Sequence, residues 1–323
     1  LMAEMGAYNN SQNFGRADRG AAYALHARLA LNSEVYTEGK VKDYQKAIDY
    51  CDKILNNVGE GEGKYNLCRA EKNGYSGYQQ LFMGDNDCNP EAMKEIIFPI
   101  RQDGLKARAY AGTTYLVSAA TIGGMPYAST GDPWKCMFAR ENLIEKFFPN
   151  KNDIPKATVD DVLKNPSKEQ VIAKDSEKGI GTANVIAKAK DDRALFYMGV
   201  GGCETGKVRT INPGENITGP LNGASFVKWS NLHADGTTQH DQNYSDTDFP
   251  VFRLAEIYLT RAEAKYRLNG SQDGLADILE VQDRANRQIK ASSVDEQTLI
   301  DEWCREFFME GRRRSDLVRF GLF

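Results

Sequence analysis

Apolar residues recur at three- and four-residue spacing towards both ends of the 323-residue chain and gather into short bursts between them. In residues 248–270, Leu254, Ile257, Tyr258 and Ala262 fall on one helical stripe, with Leu259 and Tyr266 on its neighbour. Pro250 near the start and Gly270 at the stop match the asymmetry of helix ends, so the spacing predicts a helix over 248–270. Ala255, Ala262 and Ala264 are too small to hold another helix away, so this helix is built to be packed on more than one side. Residues 299–320 supply a partner, because Ile300, Trp303, Phe307 and Phe308 repeat at helical spacing up to Gly311, and a basic run, Arg312, Arg313 and Arg314, follows.

At the other end, residues 1–14 are polar and Asn-rich and read as a loop or the frayed end of an earlier helix. Over 16–32 the pattern predicts a helix with Ala21, Ala22, Leu25, Leu29 and Ala30 on one face and Asp18 at its positive end. Tyr44, Ala47, Ile48, Cys51 and Ile54 mark a second helix after a turn at 37–42. The two form a hairpin of tetratricopeptide type, and the helices after Pro250 and after Gly274 form another, with no fixed repeat period. Between them, EIIFPI (95–100), TTYLVSA (113–119), ALFYMGV (194–200) and SFVKW (225–229) read as strands bounded by Gly, Asn and Asp, with helical patches at 137–148 and 182–190. The pattern therefore predicts a mainly α fold: tetratricopeptide-like helix pairs at 15–58 and 249–320, and a long irregular insertion with short strands over 60–248. Loops are where binding residues concentrate, which puts function in the insertion.

Composition narrows the function. A hydrophobic fraction of 41% fills a sizeable core, and a net charge of −4 with both signs interspersed gives no attraction for nucleic acid or an anionic membrane. Glu306, Glu310 and Asp316 flank the arginine run, which reads as structural pairing. The chain has no apolar run of about eighteen residues and no basic leader followed by an apolar segment, so residue 1 is not the start of a secretory precursor. The six cysteines (51, 68, 88, 136, 203 and 304) show neither a CxxC pair nor zinc spacing and read as buried free thiols. Catalytic motifs are missing: the three histidines form no HExxH, and there is no G-x-S-x-G. His26, in an alanine-rich helix, reads as a core or groove residue. Glu256 and Glu263 lie near Arg253 and Arg261, which lower a carboxyl pKa, the wrong direction for a general acid. They read instead as members of an ion-pair network with Arg305, Glu310 and Arg312 to Arg314. GGCETGKV (201–208) has the spacing of a phosphate loop, but Val208 replaces the magnesium-holding hydroxyl and no helix can readily start in RTINPGENITGP, so it reads as a flexible loop.

The fifteen tyrosines are the more useful number. Tyr110 lies in the polar stretch KARAYAG, and Trp134 lies in STGDPWKC, where Gly131 and Pro133 turn an indole outward. Exposed rings can stack on the apolar face of a hexose while its hydroxyls meet polar side chains at the edges. Trp229 and Trp303, in a strand-like run and on a helix face, read as structural. Acidic side chains alternate in two places: Asp85, Asp87 and Asn89 in LFMGDNDCNPEAM, and Asp246 and Asp248 in YSDTDFP. Calcium takes six to eight oxygens, so two such loops together, with Asp87, Asn89, Asp246 and Asp248, would make a structural calcium site, although not an EF-hand. Two capped turns, with Asp246 or Asp248 capping the following helix, are the competing reading.

FPVFRLAEIYLTRAEAKYR and EWCREFFMEGRRRSDLVRFG resemble the C-terminal signature of the SusD/RagB family, surface glycan-binding lipoproteins of Bacteroidetes. FGRADRGAAYALHARLALNSEVYT, LFMGDNDCNPEAMKEIIFPIRQDG and DDRALFYMGVGG extend the likeness over most of the chain, and it is closest to the starch-binding branch. The resemblance implies one domain over 1–323, truncated at both ends, that captures starch or a maltooligosaccharide without catalysis or a required cofactor. It implies delivery to a SusC-like TonB-dependent outer-membrane transporter at the cell surface, with the membrane reached only through a lipid anchor outside this chain. RQDGLKARAYAG and GMPYASTGDPWKC match the stretches that supply a tyrosine and a tryptophan of the family's starch-binding arc, which assigns sugar stacking to Tyr110 and Trp134 and leaves the arc's other members outside this chain. Similar acidic loops are associated with calcium in the family. The alternative is a protein-interaction module whose helical groove grips the transporter or a peptide, or a binder of this family type for a different glycan, without starch affinity; a glycosidase is a third. Rings exposed on one concave patch favour the sugar reading, and rings buried apart favour the interaction module.

Overall fold

The computed structural model describes residues 14–56, 65–126, 129–203, 205–211 and 222–323. The chain divides into two compact units, one of residues 1–81, 86–101 and 249–323 and one of 82–85 and 102–248. Of the expected 60–248 the second unit thus takes only 82–85 and 102–248, because the strand Ile96–Ile100 and most of the segments before it belong to the first.

The first unit is helical. Asp18 caps the helix Arg19–Leu31 by accepting from the Ala21 amide at 2.8 Å. The buried residues of this helix are Gly20, Ala21, Ala24, Ala27, Ala30 and Leu31, so Ala21 and Ala30 of the expected face turn inward while Leu25 and Leu29 are each 46% exposed. Small side chains let neighbouring helix axes approach closely, which outweighs burying two leucines. Helix Tyr44–Leu55 packs against it through Tyr44, Ala47, Cys51 and Ile54, and the central helix Leu254–Asn269 packs against Tyr44–Leu55 and Leu275–Arg284. His26 is exposed rather than in a core and stacks on Tyr50, with centroids 4.8 Å apart.

The central helix starts at Leu254, not at 248, because Phe249–Arg253 is a strand. It pairs antiparallel with Ile96–Ile100, setting Pro99 opposite Pro250. Proline disfavours the helical region for the residue before it and gives no ladder N–H, and a two-stranded ribbon tolerates both. Gly270 ends the helix in the left-handed conformation, as its position implies. The helix expected to end at Gly311 is Glu296–Phe307, closed by Met309 and Gly311, both of positive φ, and a further helix, Arg313–Arg319, follows in the basic run.

Salt bridges lace these helices. Glu256 takes Arg28 at 2.6 Å and Arg312 at 2.8 Å. Glu263 takes Arg267, Arg319 and the indole N–H of Trp303 at 2.6 to 2.7 Å. Arg253 reaches Glu95, Glu306 and Glu310. Arg312 and Glu310 are therefore in the network, but Arg305 pairs with Glu302, Arg313 donates to the Ile300 carbonyl and Arg314 lies over Phe323. Glu95 and Arg284, distant in sequence from both motifs, complete it.

In the second unit a three-stranded antiparallel sheet has Ala224–Phe226 between Phe138–Ala139 and Phe196–Tyr197. Residues 113–119, expected as a strand, lie in the helix Gly112–Ala120. Their β-branched side chains serve tertiary contacts instead: the Thr113 hydroxyl donates to the Thr247 carbonyl, and the Thr114 hydroxyl accepts from the Ser245 amide. The patch at 137–148 resolves into Phe138–Ala139, Glu141–Ile144 and a 3₁₀ turn, Glu145–Phe147. Helix Thr182–Ala189 is present as expected, and helix Lys168–Lys178, bounded by a Ser167/Gln170 capping box and left-handed Gly179, was not anticipated. Trp229 is buried edge-on against Phe82, and Trp303 is buried in the helical unit. All six cysteines are free thiols, but Cys88 and Cys136 are exposed rather than buried. The first part of GGCETGKV is packed: the Gly201 amide donates to the Tyr197 hydroxyl at 2.6 Å, and a Cβ there would sit 2.7 Å from the Gly124 carbonyl oxygen. Glu204 and residues 212–221 lie outside the described residues.

Candidate functional site

Helix Gly112–Ala120 is the base on which the site is built. Its C-terminal end anchors the Trp134 loop. The Trp134 amide donates to the Ser118 carbonyl at 2.9 Å, Lys135 to Thr121, and Cys136 and Met137 to Ala119. Lys135 is left-handed, with φ 58°, which lets the chain turn directly after Trp134. The indole N–H donates to Asp132 at 2.8 Å, so the polar edge is satisfied and the ring face is left for contact.

On the N-terminal side of the same helix, Asp103 gathers the amides of Leu105, Lys106 and Ala107 at 2.7 to 3.0 Å. These backbone donors, Ala107 foremost, hold its carboxyl below the usual aspartate value. The turn leads to Tyr110, which is 56% exposed.

A third segment closes on both. Asn231 clamps it, donating to the carbonyls of Asp241 and Tyr244 and accepting from the Asp246 amide at 2.7 Å. Asp241 in turn accepts from the amides of Asn243 and Tyr244. Gly131 donates to the Gln242 carbonyl, and a Cβ at Gly131 would lie 2.8 Å from the Asn243 side-chain oxygen, so the two loops touch at this glycine.

These three supports place four aromatic rings in one patch. Tyr244 and Tyr110 have centroids 5.1 Å apart, Tyr110 and Trp134 5.9 Å, and Trp134 and Tyr115 5.7 Å. Tyr115 is exposed, and Trp134 and Tyr244 are half-buried. The Tyr244 hydroxyl beside that of Tyr110 raises the Tyr110 phenol above its usual value. Arg108 stands next to Tyr244, its guanidinium 5.5 Å from the ring centroid and 3.2 Å from Asp241. Such a surface can stack on flat apolar faces and offer charged hydrogen-bonding groups at one edge.

The two rings singled out from sequence are thus brought together, and Tyr115, Tyr244 and Arg108 were missed. Tyr115 was hidden by the expected strand at 113–119, where it would have counted as one more β-forming residue. Tyr244 sits in DQNYSD, a turn-rich segment of the kind that marked Trp134, so that signal was available.

The acidic-loop residues divide between the two units. In the helical unit Asp87 pairs with Arg101 at 2.6 Å, and Asn89 caps the helix Pro90–Glu95 and donates to Gln80. In the second unit Asp85 accepts from the amides of Ala234 and Asp235, and Asp248 accepts from the Gln102 amide. Asp246 is held by both imidazoles, His233 and His240, each at 3.1 Å. Burial alone would raise the Asp246 carboxyl, but the two histidines bring it below its usual value, and Asp246 raises His233. Neither Asp246 nor Asp248 caps the central helix, whose N-terminal boundary is Arg253. Among the described residues no three His, Cys, Asp or Glu side chains are grouped to hold a metal ion.

Residues 94–323 match the model of the SusD family. The starch-binding protein SusD of Bacteroides thetaiotaomicron is 49% identical over 315 residues, covering 96% of this chain and 53% of that protein. A SusD-like protein of Formosa agariphila is 34% identical over 122 residues, 35% of this chain and 23% of its own length. Two solved structures share the fold. A SusD-like protein from Bacteroides fragilis has a TM-score of 0.62 at 18% identity, covering 99% of this chain and 57% of that one. Surface glycan-binding protein A from Bacteroides thetaiotaomicron, in complex with laminarihexaose, has a TM-score of 0.57 at 16% identity, covering 98% and 58%. The chain spans about half the length of the relatives it matches.

Proposed function

The chain belongs to the SusD family, and from that premise we propose that it serves a non-catalytic, cell-surface glycan-binding protein that captures starch or maltooligosaccharide and hands it to a SusC-like TonB-dependent transporter. One observation carries the reading: Tyr110 and Trp134, nominated from sequence, share one solvent-facing aromatic patch with centroids 5.9 Å apart. Stacking of sugar faces on these rings supplies affinity, and the tilt between neighbouring rings suits a chain that curves as α-1,4-linked glucose does. A 49% identical relative that is a starch-binding protein supports the choice of glucan. The interaction-module alternative needs both rings buried apart, and neither is.

Catalysis has no support at the patch. Asp132 is bonded to the indole and Asp241 to Arg108 and two amides, so both carboxylates are spent on holding neighbours rather than poised as acids. Among the described residues no helix is long and apolar enough to cross a membrane, and the proposed cell-surface location rests on membership of the SusD family.

Isothermal titration with maltoheptaose and α-cyclodextrin, beside a β-glucan control, tests the reading. Both α-glucans bind and the β-glucan does not; Trp134→Ala lowers affinity by about tenfold or more, on the order of one lost stacking contact. Heat from neither α-glucan would overturn the choice of starch. Calcium at the acidic loops is a separate proposal, and an ion there would replace Arg101 on Asp87 or the imidazoles on Asp246. A structural calcium predicts a lower melting temperature after EGTA dialysis, restored by calcium; no change would refute it.

A further inference from the structure

The row of rings does not end at the two residues that sequence nominated. Tyr244 continues it past Tyr110, and beyond Tyr244 stands the Arg108–Asp241 pair. Arg108 is held in two places: its Nε donates to the Gly104 carbonyl at 3.0 Å, and its Nη2 lies 3.2 Å from Asp241 Oδ2. Asp241 is itself fixed through Oδ1 by the amides of Asn243 and Tyr244. The guanidinium is thereby oriented without being buried, with 48% of the side chain exposed. Among the described residues its Nη1 has no hydrogen-bond partner, so two N–H donors remain in the plane of a fixed fork.

A pre-oriented donor at the end of a stacking surface is what a hydroxyl-rich ligand can use. An aromatic face alone is tolerant of which sugar it meets, whereas a fixed fork beside it selects the position and orientation of hydroxyl oxygens. Holding the fork in advance also removes the entropy cost of ordering a long side chain on binding. We propose that Tyr244 and the Arg108–Asp241 pair form a further sugar subsite, with Tyr244 stacking on one hexose and Arg108 Nη1 donating to its hydroxyls. This rests on the glycan-binding reading of Tyr110 and Trp134 and assigns the added subsite to oligosaccharides long enough to run from Trp134 across Tyr110 to Tyr244. Short oligosaccharides bind on Trp134 and Tyr110 alone.

Titration of the wild type, Arg108→Ala, Arg108→Lys and Tyr110→Ala with maltose and maltoheptaose tests it, with near-ultraviolet circular dichroism as the check on folding. Asp241→Asn serves as a second variant that should match the Arg108 variants, because it keeps the Oδ1 acceptor for both amides and replaces the Oδ2 acceptor facing Arg108 with an amide donor. Both Arg108 variants should weaken maltoheptaose by about tenfold, the scale of one hydrogen bond to a charged donor, and leave maltose within about twofold. Arg108→Lys keeps the charge, so its loss would identify the fork rather than the field. Unchanged maltoheptaose affinity in the Arg108 variants, with Tyr110→Ala still weakened, overturns the subsite and leaves the ring reading standing. Equal losses for both lengths also overturn it, because they place Arg108 in support of the loop. A wild type that binds neither sugar removes the glycan reading itself.

Discussion

Glu256 is buried in the first turn of the central helix, where Arg28 binds it through both oxygens and Arg312 reaches Oε1. Burial alone would raise its carboxyl, but Arg312 and Arg28 hold it at about 2 against the usual 4.5. A carboxyl depressed in the folded state stabilises in full above its unfolded pKa and loses that contribution as pH falls through the folded value. The gap corresponds to on the order of 3 kcal/mol. Glu256→Gln should therefore be less stable than the wild type at pH 7, and urea denaturation should show the difference shrinking between pH 4.5 and pH 2. A pH-independent difference would mean that packing, not charge, is what Glu256 supplies. Side chains such as these are partly legible in sequence. Glu256 with Arg312 could be anticipated because both lie in the two C-terminal motifs, and Trp134 announced itself through its turn. Glu95 and Arg284 could not, since nothing local ties a lone carboxylate at 95 to arginines at 253 and 284. Tyr115 escaped for a related reason: its exposure depends on which element carries it.

Helices were legible where apolar residues alone decide the buried face, as in Tyr44–Leu55. Periodicity failed where other forces decide. In Arg19–Leu31 alanines face inward because closeness matters more than the area of each side chain. In Gly112–Ala120 threonine hydroxyls are spent on distant backbone groups, and Lys168–Lys178 buries only Val171 and Asp175. Close approach between elements has its own signature at Gly274, which joins the central helix to Leu275–Arg284. A Cβ there would lie 2.8 Å from the Ala262 backbone, and its φ of −72° suits any residue, so substitution costs sterics alone. Gly270, at φ 70° with nothing within 4 Å of a Cβ, is the converse case. Gly274→Ala should cost about 1–3 kcal/mol of stability by overpacking, against about 1 kcal/mol for Gly270→Ala from its left-handed backbone. Thermal denaturation of the two variants gives the order, and a larger loss at Gly270 would contradict the close-packing argument.

At the scale of the whole chain, turn-rich sequence after residue 60 still feeds the strand Ile96–Ile100 of the helical unit, and the second unit takes 82–85 and 102–248. That strand matters for how the two units are joined. The chain leaves the helical unit at Arg101 and returns at Phe249, and Ile100 and Phe249 are paired across an antiparallel ladder. Residues 102–248 thus occupy the place of a hairpin loop, and such a ladder can be closed by a two-residue turn. Replacing 102–248 with Asn-Gly, together with Phe82→Ser because Phe82 packs on Trp229, should leave the helical unit folded. The product has a built-in reporter. Of the three tryptophans only Trp303 remains, and it is buried, bonded to Glu263 at 2.7 Å, with Arg312 over its ring at 4.0 Å. Blue-shifted emission lost in one cooperative urea transition would establish that the helical unit folds without the excised residues. Emission of a solvated indole in the absence of urea would show instead that the helical core forms only when the excised residues are present, even though its apolar cluster and ion pairs are its own.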